Sequence, residues 1–247
     1  MKDQYEWLEK LGEGSFGSVH LVRSYNDGNL YAIKKIRINY DALIRIKNEI
    51  SIMRDLSNPV LIKYYAHFVD DKYVYIVMEY AEGNSLRKVL LDNTISKTTI
   101  EPEKVIKFLQ TMLLGLDILA TKSIIHRDIK PENILISHND FKISDYGISK
   151  YYDYSMNHTV IGTNLYMAPE VRTQHYDFKA DIYSLGKVLE EICSILKDKT
   201  HFQALINSMT EINPEKRPTT CQIREMIRRI PTKQKTSRLL NLSGDDN

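Results

Sequence analysis

The sequence predicts an α+β fold in two lobes, a β-rich one followed by a helix-rich one. Three observations point to it. Runs of aromatic and β-branched residues bounded by turn signals fill the first third of the chain, up to about residue 78. Apolar residues at helical spacing dominate from residue 102 onward. The change between the two regimes is abrupt, at Glu82-Gly83-Asn84. Strands and helices segregated in this way give α+β rather than alternating α/β architecture.

Residues 5–11 read as a strand leading into a glycine-rich turn. Residues 18–23 and 30–36 flank Asn26-Asp27-Gly28-Asn29, a strong hairpin signal. Residues 41–56 carry helical spacing, with Leu43, Ile46, Ile50 and Met53 on one stripe, and Asn58-Pro59 ends the helix. Residues 62–68 and 73–79 are strand-like and are joined by Asp70-Asp71. Pro102 suits the first position of a helix running to about residue 121, with Ile106, Leu109, Leu113, Leu116 and Ala120 as its apolar stripe. Further helices fit 179–196, 202–210 and 220–230. There are no internal repeats, and the polar tail 231–247, basic and then acidic, is expected to be disordered. The expected organisation is one domain over residues 1–230, with a first lobe over about 1–78, a hinge over about 79–83 and a second lobe over about 84–230.

With 43% hydrophobic and 27% charged residues, the 247-residue chain is globular and long enough for a sizeable core. A net charge of +2 offers no case for a nucleic-acid partner. The two cysteines, Cys193 and Cys221, lie in helix-like segments and read as free thiols of a reducing compartment. The first residues lack the apolar core of a signal peptide. The longest apolar stretch, 112–120, is short and carries Asp117, so no membrane association is expected. Localisation is expected to be cytoplasmic, with nuclear access open.

The chemistry concentrates in His126-Arg127-Asp128-Ile129-Lys130-Pro131-Glu132-Asn133 and Asp145-Tyr146-Gly147. Between them Ile134-Leu135-Ile136, a turn at His138-Asn139-Asp140 and Phe141-Lys142-Ile143 read as a β-hairpin. Such a hairpin brings Asp128, Asn133 and Asp145 to one end. Asn and Asp oxygens are hard ligands that Mg²⁺ accepts beside phosphate oxygens. Asp128 is then the carboxylate positioned to meet a hydroxyl proton.

Gly12-Glu13-Gly14-Ser15-Phe16-Gly17 is a G-x-G-x-x-G string. Alone it fits a flexible hairpin without a ligand, or a dinucleotide site, equally well. The dinucleotide reading requires a helix opening at the glycines, whereas here Val19, Leu21 and Val22 continue as a strand. That suits a hairpin folded over phosphates. Lys34 lies mid-strand, with Lys35 on the opposite, solvated face. Glu49 on the following helix is, taken alone, an ordinary surface residue.

Together these segments resemble the catalytic domain of eukaryotic protein kinases, over roughly residues 5–230. The resemblance implies a bilobal kinase fold and transfer of the ATP γ-phosphoryl group, with Mg²⁺, to Ser or Thr hydroxyls of protein substrates. Gly12, Gly14 and Gly17 would cover the phosphates, and Lys34, paired with Glu49, would hold them. Val19 and Ala32 would cover the adenine, Leu135 would lie beneath it and Met78 behind it. The backbones of Glu79 and Ala81 would bond its edge, and Ser85 would meet the ribose. Asp128 would orient the acceptor hydroxyl, Lys130 would neutralise the moving phosphoryl group, and Asn133 and Asp145 would hold Mg²⁺. Lys130 with Thr163 points to serine/threonine rather than tyrosine acceptors.

The resemblance also implies a structural role for His126, a buried Glu170–Arg217 ion pair and an Asp181 brace beneath the catalytic loop. Arg127 before Asp128 implies control by an upstream kinase acting on Thr159, with Ser155 second and Lys150 adding charge; no oligomeric state is implied. Two departures stand out. Tyr146 replaces the usual Phe and adds a hydroxyl that wants a partner if buried. Only 36 positions separate Asp181 from Arg217 (217 − 181), so the substrate-docking region is trimmed. The rival readings are a pseudokinase scaffold, which losses at Lys34, Asp128, Asn133 or Asp145 would favour, and a metabolic phosphotransferase.

Overall fold

The computed structural model describes residues 2–14, 17–38, 46, 50–97, 100–146, 165–173, 176–196 and 198–231. The chain packs as two compact units. One gathers the described residues of Met1–Leu86 and Glu132–His158, the other those of Arg87–Pro131 and Thr159–Asn247.

The first unit is built on an antiparallel sheet of β1 (Tyr5–Gly14), β2 (Gly17–Ser24), β3 (Leu30–Arg37), β4 (Tyr64–Val69) and β5 (Tyr73–Glu79), in the order β1-β2-β3-β5-β4. The β2–β3 turn follows from its side chains: Asp27 Oδ1 accepts from the Asn29 N–H at 3.0 Å, and Gly28 takes φ 72°. Asp70 shapes the β4–β5 turn in the same way, accepting from the N–H groups of Lys72 and Tyr73 at 2.8 and 2.7 Å.

Alternation along the strands gives the sheet two faces. One carries an aromatic core, in which Phe68 stacks on Tyr75 at 4.7 Å between ring centres and Trp7 meets Tyr75 edge-on. On the other, Ala32, Lys34 and Ile36 of β3 register with Met78, Ile76 and Val74 of β5. The helical residues described between β3 and β4 are Ile46 and 50–55, here α1; Ile46, Ile50 and Met53 are buried on the expected stripe, and Leu43 lies outside the described residues.

β4 begins at Tyr64 rather than at residue 62, because the chain before it pairs elsewhere. The Ile62 N–H donates to the Ile143 carbonyl, and the Ile143 N–H to the Val60 carbonyl, both at 2.9 Å. Ile143 ends the small hairpin of β6 (Ile134–Ser137) and β7 (Asp140–Ile143). That hairpin is also held through residues 83 and 84: the Gly83 N–H donates to the Ile136 carbonyl and the Ile136 N–H to the Asn84 carbonyl, at 2.9 Å each. These bonds are why a hairpin read as part of the second lobe groups with the first unit. Gly83 is required there, since a Cβ would lie 2.7 Å from the Ile136 side chain.

The second unit is helical. α2 (Leu86–Ser96), most of which lies in this unit, has too weak an amphipathic pattern to stand out in the sequence. α3 (Pro102–Thr121) starts with Pro102 in its first turn, as the sequence requires. Its buried stripe is Val105, Phe108, Leu109, Met112, Leu113, Leu116 and Leu119, so Ile106 and Ala120 sit at the margin of the core rather than in it. α4 (Lys179–Ser194) and α5 (Thr200–Met209) pack on one another, and α6 (Thr220–Arg228) opens with a Thr219–Gln222 capping box. Cys193 is buried in α4, where burial pushes its thiol up to about 12, and Cys221 is exposed in α6. Among the described residues no helix is long and apolar enough to cross a membrane.

Candidate active site

In the first unit four of the residues assigned to the nucleotide, Val19, Ala32, Lys34 and Met78, share one face of the sheet. Lys34 is buried on β3 and its Nζ bonds Asp145 Oδ1 at 2.7 Å, joining residues 111 positions apart. Burying an ammonium is costly unless a carboxylate meets it, and Asp145 does so while keeping 38% of its side chain exposed. Val19 on β2 registers with Lys34, and Ala32 with Met78, so these residues line the strand face around the lysine. Glu49, the partner expected for Lys34, lies outside the described residues.

Gly17 takes φ 134°, and a Cβ there would fall 2.0 Å from the Lys35 carbonyl oxygen. Its glycine is therefore demanded by the sheet itself. At Gly12 and Gly14 a Cβ would meet nothing within 4 Å, so packing does not account for them.

Glu79, at the start of the expected hinge, is anchored from both sides. The Glu79 N–H donates to the Lys63 carbonyl at 2.8 Å, while the Glu79 carboxylate pairs with Lys142 Nζ of β7 at 2.9 Å and accepts from the Lys63 N–H at 3.2 Å. Leu135 on β6 is half-buried and forms an isolated bridge with Ser85, just past the hinge. The Glu82 carboxylate accepts from the His138 N–H at 2.5 Å, a bond that holds it below the usual carboxylate range.

Asn133 and Asp145 are tied through the chain between them. The Asn133 carbonyl accepts from both the N–H and the Oγ of Ser144, at 2.9 and 3.0 Å, one residue before Asp145. Asp145 takes φ 59°, in the left-handed region. Tyr146 is fully buried and its hydroxyl donates to the Ile62 carbonyl at 2.7 Å, which supplies the partner that its departure from Phe demanded.

The second unit holds Asp128 and Lys130, the residues to which the sequence assigned the transfer step. Asp128 Oδ2 pairs with Lys130 Nζ at 2.8 Å. The loop rests on buried Asp181 of α4, whose two carboxylate oxygens accept from the N–H groups of His126 and Arg127 at 2.7 and 2.8 Å. Burial raises the Asp181 carboxyl above its ordinary range, opposed by the charge of His126 and those two bonds. His126 is wholly buried, and its Nδ1 accepts from the Asp128 N–H at 3.2 Å. Arg127 takes φ 65°, and its guanidinium lies 4.9 Å from the Tyr176 ring centre. Thr159, Thr163, Ser155 and Lys150 lie outside the described residues.

Two further clusters flank the segment that follows. Arg217 grips Glu170 with both terminal nitrogens and also donates to the carbonyls of Glu211, Lys179 and Ile212, at 2.6, 3.1 and 3.1 Å. Fully satisfied in this way, the buried guanidinium is a structural clamp. The other cluster escaped the sequence reading. Arg87 of α2 donates to Glu191 of α4 and, at 2.6 Å, to the Tyr166 hydroxyl, which itself donates to Glu191. Burial first, and then the Glu191 carboxylate, push the Tyr166 hydroxyl up to about 12, so it stays a donor. No short motif marks a pair 104 residues apart. The Lys142–Glu79 ion pair was likewise unmarked.

Among the described residues no group of three or more His, Cys, Asp or Glu is assembled to hold a metal. A Mg²⁺ carried by one carboxylate, one amide oxygen and phosphate oxygens needs no such cluster, so Asp145 and Asn133 fit that ion chemically.

Residues 5–196 match the protein kinase domain family. The chain is 31% identical over 216 residues to serine/threonine-protein kinase Nek2 of Mus musculus, covering 81% of this chain and 48% of the relative. It is 36% identical over 200 residues to serine/threonine-protein kinase Nek8 of Danio rerio, covering 78% and 28%. It is 37% identical over 202 residues to the MAP kinase kinase MKK1/SSP32 of Saccharomyces cerevisiae, covering 78% and 40%. The chain thus spans about half or less of the length of these curated relatives. With its five-stranded antiparallel sheet, its helical second unit and a family match over most of its length, the chain belongs to the protein kinase domain family.

Proposed function

We propose that this chain is an ATP-dependent serine/threonine protein kinase. The observation that carries the reading is the Lys34–Asp145 pair at 2.7 Å. It puts a buried cation and a partly open carboxylate on the sheet face where Ala32 registers with Met78. A polyanion with its counter-ion suits that pairing: the ammonium takes phosphate oxygens while the carboxylate turns to the metal.

Mg²⁺ bridging the phosphates would neutralise charge as it develops on the transferred group. Asn133 and Asp145 are the residues that would hold it. Lys34 would fix the α- and β-phosphates. The Glu79 N–H is committed to Lys63, so its carbonyl is the hinge group suited to an adenine amino group, with the Ala81 N–H as the matching donor. Asp128 would accept or orient the proton of the attacking hydroxyl, and Lys130, already beside it, would offset charge on the moving phosphoryl group. Lys130 and Thr163 support Ser and Thr as acceptors, and the names of the relatives agree. An upstream kinase acting on Thr159 would supply a phosphate for Arg127 to bind.

The test is transfer of radiolabelled γ-phosphate from Mg²⁺-ATP to unstructured protein acceptors, followed by phosphoamino-acid analysis. The reading expects phosphoserine and phosphothreonine, lost in Asp145→Ala. Predominant phosphotyrosine would overturn the acceptor assignment, and an unaffected Asp145→Ala would overturn the site.

A further inference from the structure

Asp145 occupies a left-handed conformation that L side chains avoid unless their surroundings impose it. The surroundings here grip both flanks. Before Asp145, Ser144 is bonded twice to the Asn133 carbonyl, and the Ile143 carbonyl accepts from the Ile62 N–H at 2.9 Å. After it, the buried Tyr146 hydroxyl donates to the carbonyl of that same Ile62 at 2.7 Å. One residue of the segment before β4 therefore bonds the chain on either side of the strained aspartate. Phe at position 146 would fill the same space with its ring but leave the Ile62 carbonyl without this donor.

We infer that Tyr146 is a positioning residue whose hydroxyl latches the Asp145 turn to Ile62 and so holds the Asp145 carboxylate where it meets Lys34. The inference rests on the proposed function for what Asp145 then does, namely bind the metal of Mg²⁺-ATP. The ring provides packing; the hydroxyl biases the turn toward the metal-competent arrangement. A buried carbonyl deprived of its donor disfavours the arrangement that buries it by about tenfold. That factor bounds the loss of affinity for Mg²⁺-ATP, because only the competent fraction binds and the loss is full where that fraction is small. It does not reach the residues assigned to the adenine on β2, β3 and β5, nor Leu135 on β6, none of which bonds the Tyr146 hydroxyl.

The experiment measures the Kd of the full chain for Mg²⁺-ATP and for adenosine, in wild type, Tyr146→Phe and Tyr146→Leu. The expected result is Mg²⁺-ATP binding weakened in both variants, by up to about tenfold, with adenosine binding unchanged. The Leu variant provides the same readout if the Phe variant does not fold. A purely structural tyrosine would weaken both ligands together, and an idle hydroxyl would weaken neither; either result overturns the latch. If wild type binds adenosine but gains nothing from Mg²⁺ and phosphates, the proposed function and the latch fall together. If wild type gains and the variants gain equally, the latch alone is wrong.

Discussion

Replacing Arg87 with Met isolates the cluster that joins α2, Tyr166 and α4. The substitution keeps the aliphatic stem and removes the hydrogen bonds to Glu191 and, at 2.6 Å, to the Tyr166 hydroxyl. Tyr166 stays bonded to Glu191, so the lock is loosened rather than dismantled. The magnitude follows from exposure. The Arg87 and Glu191 side chains are 26% and 30% exposed. A charge-assisted buried bond contributes about 1.5–3 kcal/mol and an exposed ion pair about 0–1 kcal/mol. A pair of intermediate exposure should couple by about 1.5 kcal/mol, roughly a tenfold change in an equilibrium constant. For a chain of this size that lowers the unfolding midpoint of the helical unit by about 3–6 °C.

A double-mutant cycle of Arg87→Met and Glu191→Gln, read by calorimetry, measures the coupling without assigning the whole loss to one contact. The functional arm is the KM for a protein acceptor, which should rise because Tyr166 lies in the segment before Glu170, while the KM for ATP stays put. A coupling below about 0.3 kcal/mol, or a matching rise in the KM for ATP, would show that this cluster does not hold the segment around Tyr166.

Three further outcomes are expected. Asp181→Asn leaves one carbonyl oxygen for two N–H donors, so the turn at Arg127 should relax; phosphoryl transfer should fall at least about tenfold with the KM for ATP unchanged, and an unchanged transfer rate would show that the brace is dispensable. Gly17→Ala should destabilise the first unit, since its Cβ would fall 2.0 Å from the Lys35 carbonyl oxygen at a φ of 134°; a midpoint within about 1 °C of wild type would contradict that close approach. The Asp27 carboxyl, held at about 2 chiefly by the Tyr31 hydroxyl, should return toward its ordinary 3.8 in Tyr31→Phe when followed by NMR titration. Because its folded value is depressed, the group's contribution to stability is present above 3.8 and lost as the pH falls from there through about 2, so Tyr31→Phe should flatten the acid limb of the stability curve.

What was legible in the sequence was local or carried by a motif. Asn26-Asp27-Gly28-Asn29 specifies its own hairpin through side-chain and backbone preferences, and Pro102 can begin a helix but not sit inside one. Lys34 could be singled out on its strand because the segments around it formed a recognisable set, yet its bond to Asp145 spans 111 positions and no periodicity encodes it. The α3 stripe was displaced because spacing defines a helical face only to within one residue, and packing selects Val105 and Phe108 over Ile106. The grouping of β6 and β7 with the sheet depends on backbone bonds to residues 60, 62, 83 and 84, and backbone donors and acceptors are the same for almost any sequence. Arg87 and Glu191 read as ordinary charged helix residues until folding brings them together around Tyr166.

The proposed function turns on phosphoryl transfer through Asp128. The most direct measurement is the single-turnover rate from Mg²⁺-ATP to a protein acceptor in wild type and Asp128→Asn, with Mg²⁺-ATP affinity measured on the same samples. Wild type should transfer measurably and the variant should lose about 10²–10⁴-fold, the scale of a missing general base, with affinity essentially unchanged. A variant that transfers phosphate at near the wild-type rate, or a wild type that binds Mg²⁺-ATP and transfers nothing, would contradict it.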